Sequence, residues 1–215
     1  MFIIHLYLST VGAALICSLV SFRLHYSFHL KLLSALLAIT LVIEIIANFF
    51  LKPFHLRSNF PVYNIYMLIE YPLLALYFKR ILISKTFKTA TSIFLILYPV
   101  FWCCTFLFIY NLNEWNSYGI MVGDLFIITF AARYLYELFT ADHLIHFSLH
   151  PEFWIAVAII FYSCCELPIT GILNFWVRDW KIALRLLTIL QILNIIMYSI
   201  FIYAFLCPLK ATKKR

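Results

Sequence analysis

Residues Phe60–Phe78 read FPVYNIYMLIEYPLLALYF. At about 1.5 Å per residue the stretch is long enough to cross the roughly 30 Å hydrocarbon core of a bilayer as one helix. It nevertheless carries Asn64, Glu70, Pro72 and the tyrosines Tyr63, Tyr66, Tyr71 and Tyr77. On an α-helix Tyr63, Tyr66, Glu70 and Tyr77 fall along one stripe, with Asn64 and Tyr71 on its shoulder. Lipid offers a carboxyl group no hydrogen-bond partner, so the stripe is expected to face protein or a wet cavity. The remaining helices are therefore expected to pack around this one.

The composition agrees with a bilayer as solvent. Hydrophobic residues make up 65% of the 215 residues and charged residues 12%, about half the charged share of a globular protein. The net charge of +7 arises mainly in short connections and at the C-terminus, as orientation and anionic head groups require. No nucleic-acid-binding motif accompanies it, and none is expected to bind. The six cysteines lie in or at the end of apolar runs, without CxxC spacing, and read as small buried hydrophobes.

Seven apolar spans separate, at 2–22, 32–51, 60–78, 89–110, 117–139, 151–173 and 183–206. They predict an all-α membrane protein, a single transmembrane bundle over 1–215, with no signal peptide, no repeat and no soluble catalytic or output domain. Lys and Arg set the orientation. Arg23, Lys31, Lys79, Arg80, Lys85, Lys88 and the tail cations Lys210, Lys213, Lys214 and Arg215 lie on one side. Lys52, Arg57, Arg178, Lys181 and Arg185 lie on the other. The bias places the C-terminus in the cytoplasm and the N-terminus outside, in an inner (plasma) membrane. Pro72, Pro99 and Pro168 interrupt three spans. Gly119 and Gly123 form a GxxxG approach face for a neighbouring helix.

Acids are the chemistry-bearing feature. Glu44, Glu70, Asp124 and Glu166 lie in four different spans. Each is about seven to ten residues from the outer end, hence roughly 10–15 Å deep at ~1.5 Å per residue. They are expected to line one outward-facing polar cavity with Tyr63, Asn64, Tyr66 and Asn194, open to a cationic or amine ligand, a metal ion or protons. The alternative is four acids, each bonded to its own local neighbours. Gln191, Asn194 and Tyr198 form a polar stripe on the seventh span, which Lys181 and Arg185 begin. Arg133 and Glu137, four apart, read as a local ion pair that caps a helix. His25 and His29, with His143, His146 and His150, have spacings that admit a shared divalent ion. Without HExxH or a cysteine partner no metal site and no cofactor are expected. GxSxG, P-loop and GxGxxG motifs are absent.

The run NFPVYNIYMLIEYPLLALYF and the later PEFWIAVAIIFY resemble a group of small seven-helix membrane proteins of Bacteroidota. The shared patterns are Y-x-I-Y-x-x-x-E (Tyr63, Ile65, Tyr66, Glu70) and a P-x-FWI opening (Pro151, Phe153, Trp154, Ile155). The resemblance implies a membrane-sensing or accessory role beside sensor histidine kinases, and no catalytic residues. In this chain CELPITG replaces a small-residue stretch of the group, so the resemblance says nothing of Glu166.

Together these features point to a non-enzymatic sensor or accessory signalling subunit relaying to a cytoplasmic partner such as a histidine kinase. A small proton-coupled transporter and an intramembrane lipid-modifying enzyme using carboxylates are the alternatives. The expected partners are the bilayer, that cytoplasmic protein and, as an option left open, a second copy of the chain.

Overall fold

The computed structural model is all-helical across the residues it describes, 2–21, 27–50, 59–111, 113–141, 150–175 and 180–212. In chain order the helices are α1 (Phe2–Ser21), α2 (Phe28–Ile45, continued by a π-helical turn Ile46–Phe50), α3 (Phe60–Ile81), α4 (Lys85–Phe108), α5 (Ser117–Phe139), α6 (Pro151–Phe175) and α7 (Trp180–Thr212). Six of them, all but α3, contain stretches long and apolar enough to cross a membrane. α3 has the length, but its polar stripe lowers its hydropathy, and its neighbours enclose it instead. It packs on α2, α4 and α5, while α5 packs on α6, α6 on α7 and α7 on α1.

Side-chain pairs fix the directions. Tyr7 meets Glu44 and Thr40 meets Tyr66, so α1, α2 and α3 alternate. Tyr71 meets Tyr98, and Tyr98 reaches Gly119, continuing the alternation through α4 and α5. Phe139 stacks near Phe153, and Asn194 bonds Tyr162, completing it through α6 and α7. The chain thus runs up and down through the bundle. Neighbours in sequence are neighbours in space, because short connections allow nothing else.

The outside of the bundle is apolar. Ile96 is 70% exposed, Leu107 75% and Phe108 82%, a surface that water would not tolerate and lipid does. Cys103, Cys104 and Cys164 belong to this outer surface, and Cys207 alone is buried. The expected burial of all six cysteines is corrected accordingly, since their positions follow the outward face of α4 and α6. All six are free thiols.

Helices run further than their apolar cores. α3 continues through Lys79 and Arg80, whose charges suit a helix C-terminus, and α4 starts at Lys85. Glu137 of α5 holds this tight turn. Its carboxylate accepts from the backbone N–H of Ile83 (2.6 Å) and Ser84 (3.1 Å), and from Arg133 Nε (3.0 Å). The Arg133–Glu137 pair therefore caps α4 from α5.

Of the GxxxG pair, Gly123 makes the interhelical approach. A methyl group there would stand 2.5 Å from the Tyr71 ring of α3, whereas at Gly119 it would meet Asn116, the residue that caps α5 itself. Gly123→Ala is expected to destabilise the bundle by about 1–3 kcal/mol through overpacking. Gly12→Ala, in open space within α1, is expected to leave stability unchanged or raise it by up to about 1 kcal/mol. Reversible unfolding in mixed detergent micelles measures both.

Candidate functional site

Two connected cavities occupy the interior. The larger, a vestibule of about 600 Å³, is bounded by α1, α2, α3, α6 and α7 and by Trp115 and Ile120 at the start of α5. Its rim carries Ile4, Asn48, Asn59, Phe60 and Leu184, at the end of the bundle opposite Lys79, Arg80 and Lys85. The smaller, of about 30 Å³, lies beneath it among α2, α3, α5, α6 and α7. Thr40, Glu70, Tyr71, Tyr162, Glu166 and Tyr198 line both cavities. Below them Leu36, Leu37, Leu74, Ile159 and Phe201 close the way towards the basic end.

Of the four expected acids, Glu44, Glu70 and Glu166 line the vestibule, and Glu70, Glu166 and Asp124 line the lower cavity. Glu44 lies in the vestibule, level with Tyr63, which is seven residues or roughly 10 Å of helix above Glu70. Tyr7 and Tyr63 each donate to its carboxyl at 3.1 Å, and Asn48 Nδ2 donates at 2.9 Å. Asn48 also donates to the Glu44 carbonyl at 3.0 Å, where the π-helical turn begins. Asn59 Nδ2 donates to the carbonyl of Ala47 in the same turn. Tyr7, Tyr63 and Asn48 all donate to the Glu44 carboxyl, the arrangement a carboxylate anion asks for.

Glu70, Asp124 and Glu166 converge deeper. Asp124, 1% exposed, accepts from Tyr71 at 3.2 Å through Oδ1, while its Oδ2 is buried without a hydrogen-bond partner. Tyr66 stands beside Glu70 and bonds Thr40 at 2.6 Å. Tyr162 stands beside Glu166 and accepts from Asn194 Nδ2 at 3.1 Å. The single depth expected for all four acids is therefore corrected: the helix offset lifts Glu44 about two turns above Glu70.

Asn64 is a second correction. It is fully buried but lines neither cavity. It lies about 120° around α3 from Glu70 at 100° per residue, on the side facing α4 and α5. There its Nδ2 donates to the Glu114 carbonyl at 2.8 Å, its Oδ1 accepts from the Asn116 N–H at 3.3 Å, and its own carbonyl accepts from Trp102 Nε1. It secures the α4–α5 connection. Tyr71, on the same shoulder but two turns deeper, reaches Asp124 instead.

Sequence reading missed Tyr7, Thr40 and Tyr162 as lining residues. Tyr162 was findable, standing four residues before Glu166 on one helical face. Tyr7 and Thr40 give no such sign, because their partners lie on other helices. At the rim, Trp115 packs edge-on to Phe60 and Tyr63, with ring centroids 5.5 and 6.1 Å apart. No Lys, Arg or His is among the described residues lining either cavity. Lys181 and Arg185 are both exposed on α7.

The histidine expectation falls mostly outside the described residues, where His25, His143 and His146 lie. His29 pairs with Glu152 at 2.8 Å and its ring meets Tyr77, tying α2 to α6 at the basic end. Among the described residues no three His, Cys, Asp or Glu side chains gather as metal ligands.

An open vestibule above a closed core has a direct check. With a cysteine at Gln191, a membrane-impermeant maleimide is expected to label the protein well above the unsubstituted chain. With a cysteine at Leu37, in the apolar closure, labelling is expected at background. Comparison with known protein families, with curated proteins and with solved structures finds no match to this chain.

Proposed function

We propose that the protein is a receptor-like subunit of a multi-pass membrane assembly that binds an organic cation in its vestibule and passes a helix shift to a cytoplasmic partner. The observation that carries this reading is the vestibule lining: Glu44, Glu70 and Glu166 among eight aromatic rings, with no lysine, arginine or histidine among the described lining residues. Aromatic faces attract cations within about 6 Å of the ring centroid, and more strongly where water is excluded. A volume of about 600 Å³ lies within the range of small-molecule sites. The apolar wall of Leu184, Leu187 and Leu190 on α7 suits a hydrocarbon substituent on the same ligand.

The charge bias supports a vestibule open to the outside of an inner (plasma) membrane, with the N-terminus on that side. Lys79, Arg80, Lys85 and Lys88 then face the cytoplasm, where anionic lipid and a partner would meet them. A histidine kinase as that partner rests on the resemblance of spans three and six. The second reading, a proton-coupled carrier, draws on Glu70 and Glu166 lining both cavities. The apolar closure below them weighs against it.

The probe that tests the reading is benzyltrimethylammonium, set against its neutral carbon isostere neopentylbenzene. The cation is expected to stabilise detergent-purified protein saturably and the isostere to do so far less. Glu44→Gln or Glu70→Gln is expected to weaken the cation about tenfold or more, each tenfold being about 1.4 kcal/mol. Equal effects of cation and isostere, or none from either, would reject an organic-cation site.

A further inference from the structure

We infer that Glu70, Asp124 and Glu166 form a buried proton-holding site, joined through the lower cavity and reached from the vestibule alone. The cavity of about 30 Å³ is lined by all three carboxyl groups, one each from α3, α5 and α6. Such a space has room for a water molecule or two, provided polar partners surround it. Here they do. Asp124, 1% exposed, and Ser163 are both in the lining, and the Asp124 Oδ2 is buried without a hydrogen-bond partner.

Among the described residues the remaining facing groups supply no positive charge. From α2 come Thr40 and, higher up, Glu44. From α3 come Tyr66 and Tyr71 beside Glu70. Tyr98 of α4 packs on Tyr71, Tyr162 of α6 stands over Glu166, and Tyr198 of α7 completes the wall with Tyr7 of α1 against its ring. Every titratable member of the two linings among the described residues is an acid or a phenol, and the Cys164 thiol of α6 stands near Asp124 from outside them.

Closely placed carboxylates in a low-dielectric interior without a counter-ion cannot all be ionised. A proton is the counter-charge that fits the space. Glu70 and Glu166 line both cavities and connect the site to the vestibule, while Leu36, Leu37, Leu74, Ile159 and Phe201 close it below. Protons therefore enter and leave on the vestibule side. The site does not depend on what the vestibule binds.

The test is infrared spectroscopy of the full-length protein in lipid nanodiscs at neutral pH, without added ligand. A protonated-carboxyl C=O band is expected, shifting on transfer to deuterated buffer. That band is expected to lose intensity in at least one of Asp124→Asn, Glu70→Gln and Glu166→Gln, and to be retained in Glu137→Gln, whose carboxylate is a helix cap. The near-isosteric substitutions keep a hydrogen-bond acceptor for Tyr71 and its neighbours, and three separate variants guard against one that fails to fold. Absence of the band in the wild type, or its full retention in all three site variants, would overturn the inference. Because no cation is added, failure of organic-cation binding leaves this result unaffected.

Discussion

The structure depends on one constraint: a polar group in hydrocarbon finds a partner inside the protein or stays unpaired at a cost of several kcal/mol. Seven largely apolar helices would otherwise have little reason to choose one arrangement. Lipid tails are as apolar as their leucines, so burying hydrocarbon gains little, and packing and interhelical hydrogen bonds decide the order. α3 carries the heaviest polar load and accordingly is surrounded by α2, α4 and α5, with bonds from Thr40, Trp102, Glu114 and Asn116 along its length. The greasiest surfaces, such as α4 around Ile96 and Leu107, face outward.

The interior acids answer this constraint in different ways. Glu137 is spent on structure, satisfying backbone N–H groups at the start of α4 and pairing with Arg133. Glu44 is caged by donors from α1, α2 and α3, and the π-helical turn after it brings Asn48 and Ala47 into the same network. Single π-helical turns within helices are frequent at functional sites. Asp124 is the acid whose demand is left open, with one oxygen bonded to Tyr71 and the other without a partner. That difference separates holding the helices together from holding a ligand or proton. Gly123 belongs to the same device: the absence of a side chain there admits the Tyr71 ring and so places its hydroxyl on Asp124.

Much of the site was legible because helical periodicity is rigid. Tyr63, Tyr66 and Glu70 share a face at any tertiary arrangement, as do Gln191, Asn194 and Tyr198, and all six line the vestibule. Asn64 was misread because periodicity gives an angle and not the neighbour at that angle. The shoulder it shares with Tyr71 faces α5, so one residue ties down a connection and the other reaches an acid. The extension of α3 and α4 into their basic ends was equally hidden. Hydropathy marks where lipid begins, while the helix boundary there is set by Glu137 from a third helix.

The sequence by itself determined that the chain folds as membrane-embedded helices, where each apolar span falls, and that four acids lie within them. Those properties follow from composition and from backbone geometry that is the same in every helix. Only the tertiary structure decided that Glu70 and Glu166 line both cavities while Glu44 lines the upper and Asp124 the lower, and that Tyr7 and Tyr162 join the walls. Convergence of that kind depends on the relative height and rotation of packed helices, which arise from contacts far apart in the chain and leave no local pattern to read.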